Sequence, residues 1–278
     1  MNRLLVLGAS GAVGGFLLNR LDAAGVAVLA TSRHLAARPS ESSPLRQWQA
    51  LDLWRDQFRV AATEIISVGP VDGLVAWLAR GAAPDLRRIV ALSSMSIVAK
   101  RYSADAAERA LAASLAQSEA ALVEHCTARG IAYTILRPTL IWGSGRDHSV
   151  SRLFRLARRL RIVPLPWSMG GLRQPVHADD VAAACQLALG RADGAGATFA
   201  LGGAEVLPVR ELYARVIRAA NALPLPLPGL LLTQRLVGRR RSGLSATLAR
   251  WSQDQLAPTE SSFPDWPARG FAPVAADF

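Results

Sequence analysis

The sequence predicts an α/β fold, a doubly wound parallel sheet with helices on both faces. Three observations carry that prediction. Short β-capable apolar runs alternate with stretches of helical periodicity along much of the chain. The first apolar run passes into the first helical pattern through glycines at positions 8, 11 and 14. The chain has 278 residues and is 51% hydrophobic, which is ample for a large core in one α/β unit or about two domains.

The opening stretch is Leu4-Leu5-Val6-Leu7-Gly8-Ala9-Ser10-Gly11-Ala12-Val13-Gly14, after which Phe16, Leu17 and Leu21 continue a helical pattern. A buried strand that turns sharply into a helix brings the helix N-terminus, with its unpaired N–H groups and partial positive charge, up to a bound pyrophosphate. Gly8 permits the turn, Gly11 admits the phosphates and Gly14 lets helix and strand lie close, with Ser10, Ala12 and Val13 offering backbone amides between them. Arg3 before an apolar run also resembles a secretory leader. The three glycines and the lack of a cleavage site argue against that reading.

The first helix spans about 12–24 and closes at Gly25, and residues 26–30 read as the second strand. In a dinucleotide-binding fold the end of that strand meets the adenosine ribose. An acid there accepts the 2′-OH of NAD, whereas an arginine accommodates the 2′-phosphate of NADP. No Asp or Glu lies between Asp22 and Glu41, while Ser32, Arg33 and Arg38 are available. A guanidinium grips a phosphate through paired hydrogen bonds that a carboxylate would repel, so NADP is the expected cofactor and NAD the lesser one.

Residues 48–51 make a third strand, with Asp52 and Leu53 at its end bordering the adenine. Residues 64–68 make the fourth, ending at Val68, and Gly69-Pro70 opens a helix with Val71, Leu74, Val75 and Leu78 at i, i+3, i+4 and i+7. A rival reading makes 74–78 the strand, but it leaves an awkward connection before the fifth strand at 88–92. Ser93 and Ser94 end that strand. A long helix capped by Ser103 runs to about Arg129 and stops at Gly130, and a sixth strand at 131–136 ends at Arg137-Pro138. In parallel sheets ligands bind at the carboxyl ends of the strands, an edge shared by Gly8, Arg33, Asp52, Val68, Ser94 and Pro138.

Beyond Pro138 the texture changes. A loop at 143–145 precedes an amphipathic helix with Leu153, Leu156, Ala157 and Leu160 inward, then an irregular 164–171. Asp179 or Asp180 caps a further helix, a strand lies near 198–201 and a helix spans about 209–221. Residues 223–232 are apolar and broken by prolines, which suits a lid, a homodimer patch or ordinary packing. The expected division is a dinucleotide-binding domain over 1–162, resumed at 174–202, with 143–173 and 203–278 forming a smaller substrate-side region.

Composition narrows the partners. The formal net charge is +11 with Lys100 as the sole lysine, and the arginine clusters at 152–161 and 235–241 read as solvated faces. No nucleic-acid partner is expected; a small-molecule, anionic substrate is. No apolar run is long enough to cross a bilayer. Cys126 and Cys185 show neither metal-ligand spacing nor a disulfide framework, and His34, His125 and His148 show no metal spacing, so no metal is expected and the cytoplasm is the default location.

Taken together, the 8–14 glycine motif, Ser93-Ser94, Leu136-Arg137-Pro138 before Gly143, and the run Arg173-Gln174-Pro175-Val176-His177-Ala178-Asp179-Asp180-Val181 resemble the extended and atypical short-chain dehydrogenase/reductase superfamily. Within it, the chain resembles the NAD(P)-dependent epimerase/dehydratase group of nucleoside-diphosphate-sugar epimerases. The resemblance covers about residues 1–200 and continues weakly to 266–273. It implies a Rossmann fold and hydride chemistry, with a Tyr-x-x-x-Lys pair on the helix after strand five. This chain departs there: the resemblance places Leu115 at the tyrosine, Glu119 at the lysine and Met95 at the usual Ser/Thr. Ser94 and Lys100 are then the candidate catalytic groups, and Arg173 matches an arginine that contacts the substrate diphosphate. His177 is expected to be packed and hydrogen-bonded. The functional expectation is an NADP-dependent oxidoreductase or epimerase/dehydratase-like enzyme on a phosphorylated or nucleotide-linked substrate. The alternative is a non-catalytic NADP(H) sensor.

Overall fold

The computed structural model describes residues 4–35, 43–147, 149–167, 169–191, 194–227 and 251–278. Arg38, His148, residues 228–232 and the whole 235–241 stretch lie outside them.

Seven parallel strands form the central sheet. In chain order they are β1 (Leu4–Leu7), β2 (Val28–Ser32), β3 (Arg46–Ala50), β4 (Glu64–Ser67), β5 (Arg88–Leu92), β6 (Ala132–Pro138) and a last strand at Ala197–Leu201, whose label β11 follows from four short intervening strands. Across the sheet the order is β3-β2-β1-β4-β5-β6-β11. β1 pairs with β2 on one side, Leu5 facing Leu29, and with β4 on the other, Leu5 facing Ile65. The chain thus winds outward in both directions from β1, leaving a crevice at the carboxyl ends of β1, β2 and β4.

Strand alternation divides the core. Leu4 and Val6 point to a face covered by α1 (Gly14–Ala23) and α6 (Ala178–Gly190), meeting Leu17, Leu21 and Val181. Leu5 and Leu7 point to the opposite face, covered by α2 (Val71–Ala79) and α4 (Ala106–Ala128), meeting Leu74, Trp77 and Leu122. A third apolar cluster joins α5 (Val150–Leu160), α7 (Val209–Ala219) and Phe271. Around it run β7 (Ile141–Trp142), β8 (Ile162–Pro166), β9 (Leu172–Arg173), β10 (Val176–His177), β12 (Leu207–Pro208) and β13 (Leu223–Leu227), paired as β7–β10, β9–β12 and β8–β13. Among the described residues no helix is long and apolar enough to cross a membrane.

Four local expectations need correction. Asp105, not Ser103, caps α4, accepting from the Ala107 amide at 2.9 Å. Ser103 is drawn off to the Asp105 amide and the Glu108 carboxylate. Neither Asp179 nor Asp180 caps α6; the His177 Nδ1 accepts from the Asp179 amide at 3.1 Å, because arginines hold both carboxylates. Within the expected irregular 164–171, residues 164–166 are instead the end of β8, whose prolines fit because it belongs to a two-stranded ribbon rather than to the interior of a sheet. Leu156 and Leu160 face outward: the buried stripe of α5 is Val150, Phe154 and Ala157, set by Phe154 stacking on Phe278 with centroids 4.5 Å apart.

Candidate functional site

The β1–α1 turn is shaped by contacts that exclude side chains. Gly8 has φ +75°, and a Cβ there would lie 2.7 Å from the Gly69 nitrogen. A Cβ on Gly14 would lie 2.3 Å from the Ala9 carbonyl oxygen. The Gly11 amide donates to the Gly8 carbonyl at 2.9 Å, and the Ala9 amide donates to the Thr31 carbonyl at 3.0 Å, tying the turn to β2. Val13 is the N-cap of α1; no side chain caps the helix and its first turn holds no acid. The helix therefore presents unpaired backbone N–H groups and the positive end of its dipole at this turn.

The neighbouring strand ends close around it. Ser32 Oγ donates to the His34 carbonyl at 2.9 Å, so the 2.8 Å contact with Ser10 is donated by Ser10 Oγ. Arg33 is exposed, and its guanidinium lies 5.8 Å from the centre of the Trp54 ring. The Asp52 carboxylate accepts from the Trp54 amide at 3.0 Å, and the Trp54 indole donates to Asp72 at 3.1 Å. Leu53 is buried beside Gly69, and the Val68 amide donates to the Leu7 carbonyl at 3.0 Å. Gly8, Ser10, Ser32, Leu53 and Val68 therefore meet at one place, with Arg33 and Asp52 joined to it through Trp54. Sequence reasoning missed Trp54, and also Arg146, whose guanidinium donates to the Ser10 carbonyl from the loop after β7.

Farther along the edge, the Ser93 amide donates to the Leu136 carbonyl at 2.7 Å, and the Met95 amide to the Pro138 carbonyl at 2.9 Å. The Ser93 hydroxyl is buried and has no hydrogen-bond partner among the described residues. Ser94 Oγ accepts from the Ser96 amide at 3.1 Å, at the start of α3 (Ser96–Ala99). Lys100, which follows α3, lies 3.4 Å from Glu108, a carboxylate that also receives the Ser103 hydroxyl at 2.7 Å. Leu115 is half-buried on α4. Glu119 is buried one turn on and held by both the Nε and Nη2 of Arg137.

Arg173 stands apart from this edge, on β9. It is buried, with Nη1 donating to the Leu172 and Gln253 carbonyls at 2.8 and 2.5 Å. Burial pushes its pKa below the usual arginine value, while Tyr213 and Asp254 act the other way.

Among the described residues, His177, Asp179 and Asp180 bring ligand atoms within 4.8 Å of one another. Their lone pairs are committed elsewhere. Arg20 grips Asp179 at 2.6 and 2.9 Å, and Arg269 reaches Asp179 at 2.7 Å and Asp180 at 2.8 Å. This arrangement latches α6 to α1 and to the C-terminal segment.

No protein-family model and no curated protein matches the chain. Solved structures do. An epimerase from Methanothermobacter thermautotrophicus is 15% identical with a TM-score of 0.67, the match covering 90% of this chain and 91% of that one. A UDP-glucose 4-epimerase from Thermus thermophilus, in complex with NAD, is 19% identical with a TM-score of 0.61, covering 89% and 99%. A short-chain dehydrogenase/reductase superfamily protein from Agrobacterium tumefaciens, with bound NAD, is 15% identical with a TM-score of 0.64, covering 90% and 96%. The chain has the Rossmann-type α/β fold of these epimerases and of this short-chain dehydrogenase/reductase protein.

Proposed function

We propose that the protein binds NADP(H) along the carboxyl edge of its sheet, more tightly than NAD(H), and acts as an oxidoreductase or epimerase/dehydratase-like enzyme on a small anionic substrate. The observation that carries this reading is the uncapped N-terminus of α1, held open by the backbone contacts of Gly8 and Gly14. The residues fit the cofactor. Gly8, Ser10, Gly11, Ala12, Val13 and Gly14 would hold the pyrophosphate, and Ser32 and Arg33 the 2′-phosphate. Asp52, Leu53 and Val68 would flank the adenosine, with Ser93 and Pro138 toward the other nucleoside. The bound nicotinamide would supply hydride acceptance and return. The groups that would hold a proton beyond β5 in the reaction include the Ser94 hydroxyl and the Lys100 ammonium, and Arg173 would face the substrate's phosphate in the region formed by 143–173 and 203–278.

Titration with NADPH and NADH tests the cofactor assignment. NADPH is expected to bind more tightly, and Arg33→Ala to weaken NADPH alone by roughly ten- to a hundredfold, the worth of a charge-assisted hydrogen bond. Equal or tighter NADH binding, unchanged in Arg33→Ala, overturns it. Lys100→Ala is expected to abolish turnover of whichever carbonyl or nucleotide-sugar substrate a panel reveals.

A specific observation favours a second reading, a non-catalytic NADP(H) sensor. Leu115 has no transferable proton, and the Glu119 carboxylate is engaged by Arg137 rather than by a tyrosine on the same helix. Tight NADPH binding with no hydride exchange across the panel would select it.

A further inference from the structure

An apolar strip runs over the outer surface of α5, β8 and β13, far along the chain from the residues of the cofactor edge. Its continuity follows from register. β13 pairs in parallel with β8, placing Leu223 opposite Ile162 and Leu225 opposite Pro164. Side chains alternate along a strand, so Val163 and Leu165 are buried while Ile162, Pro164, Leu223 and Leu225 share the outer face. Leu160 ends α5 just before Ile162, and Leu156 lies one turn back on the same helical face. Leu156, Leu160, Ile162, Leu223 and Leu225 are each between 44% and 58% exposed. A strip of this kind on a folded protein marks a contact surface.

Its charge is one-sided. Arg152, Leu156, Arg159 and Leu160 fall at i, i+4, i+7 and i+8 and share a face of α5, with Arg155, Arg158 and Arg161 exposed around them. No Asp or Glu occurs between Val150 and Ala178, and among the described residues no carboxylate pairs with these five arginines. The nearest acid on α7, Glu211, is occupied by Arg215 and Arg218. A second copy of the chain docked here through a two-fold interface would set arginine against arginine. A nucleic acid would meet the arginines but leave the leucines and isoleucine without an apolar partner. A surface offering both negative headgroups and hydrocarbon satisfies both halves of the strip.

We propose that the α5–β8–β13 face docks the protein onto an anionic phospholipid bilayer, the arginines against headgroup phosphates and Leu156, Leu160, Ile162, Leu223 and Leu225 at the acyl boundary. The docking does not depend on the cofactor reading.

The test is co-sedimentation of the full chain with vesicles of phosphatidylglycerol and phosphatidylcholine, against vesicles of phosphatidylcholine alone. Thermal unfolding of each variant checks that it folds. Binding is expected only to the anionic vesicles and to weaken as salt rises. Arg152→Gln/Arg159→Gln is expected to lower the affinity about fivefold per arginine and to flatten the salt dependence. Ile162→Ser/Leu223→Ser is expected to lower it at least about tenfold with the salt dependence kept. The proposal is overturned by equal or absent binding to both vesicles. It is likewise overturned if the serine variant leaves binding unchanged, if that variant instead dissolves a dimer seen by light scattering, or if duplex DNA competes fully with the vesicles.

Discussion

Gly8 and Gly15 flank the same turn, and an added methyl group has opposite consequences at the two. At Gly8 the backbone is left-handed, with φ +75°, and the methyl would meet the Gly69 nitrogen at 2.7 Å; that neighbour is backbone and cannot swing away. At Gly15, inside α1, nothing lies within 4 Å of the added carbon. Gly8→Ala is expected to cost about 1–3 kcal/mol of stability and to widen the β1–α1 turn. Gly15→Ala is expected to add roughly 0.5–1 kcal/mol through helix propensity. Urea unfolding of the two variants checks both signs, and equal effects would mean that the turn tolerates a side chain at Gly8. The glycine triplet was readable from the sequence because its meaning is local: spacing between a strand and a helix states the turn by itself. The Arg33–Trp54 stack and the reach of Arg146 to Ser10 were not readable, since each joins residues from different loops through contacts with no periodicity.

At the scale of elements, α4 shows how far pattern reading extends. Its length and its stop near Gly130 follow from helix-forming residues and from a glycine with φ +63° just past the end. Its start was misplaced because Ser103 and Asp105 are both good caps, and the choice turned on Glu108, which claims the Ser103 hydroxyl. α5 was misread for a related reason. Val150, Phe154 and Ala157 form one stripe and Leu153, Leu156 and Leu160 another beside it, and the first turns inward to pack with α7 and β8 side chains and, at Phe154, on Phe278. The extent of α4 was legible, but not the ion pair that ties it to β6. Glu119 is buried, and Arg137 supplies its only hydrogen bonds among the described residues. Arg137→Met is therefore expected to destabilise on the order of 3 kcal/mol, the low end of what a stranded buried charge costs. Glu119→Met/Arg137→Met is expected to recover most of that loss, because the carboxylate has gone too. A double-mutant cycle in urea reads the coupling; additive losses would show that the pair does not hold α4 to the sheet.

At the scale of the whole molecule, the sheet and the C-terminal segment are joined at the start of α6, and that junction is built from ionisable groups. The His177 ring is buried edge-on to Trp142 and Phe16, with centroids 4.7 and 5.6 Å away. Its Nδ1 accepts from the Asp179 amide, which assigns the proton of the neutral ring to Nε2, on the side of Asp277. Burial, then the Arg269 charge, pushes the His177 pKa below its ordinary 6.5, against the pull of Asp277, Asp180 and Asp179. The folded protein therefore prefers the neutral ring, and the unfolded chain binds the extra proton. This stabilisation is complete above about pH 6.5 and is lost as pH falls through the lowered folded value. A second window opens at lower pH. Burial raises the Asp179 pKa, but hydrogen bonds from Arg20 and Arg269 outweigh it and hold the carboxyl below 3.8. The hydrogen bond from Arg215 holds Glu205 below 4.5. Their contributions are present above those values and disappear as pH drops through the folded ones. Urea midpoints measured against pH are therefore expected to fall in two steps, the first beginning near pH 6.5. His125 adds to the first step, since burial and the Arg129 charge also hold its pKa below 6.5. His177→Asn keeps an acceptor for the Asp179 amide and removes one of the two titrations, so it should shrink the first step and leave the second. A first step undiminished in His177→Asn would place its proton on another group and free His177 of any part in acid sensitivity.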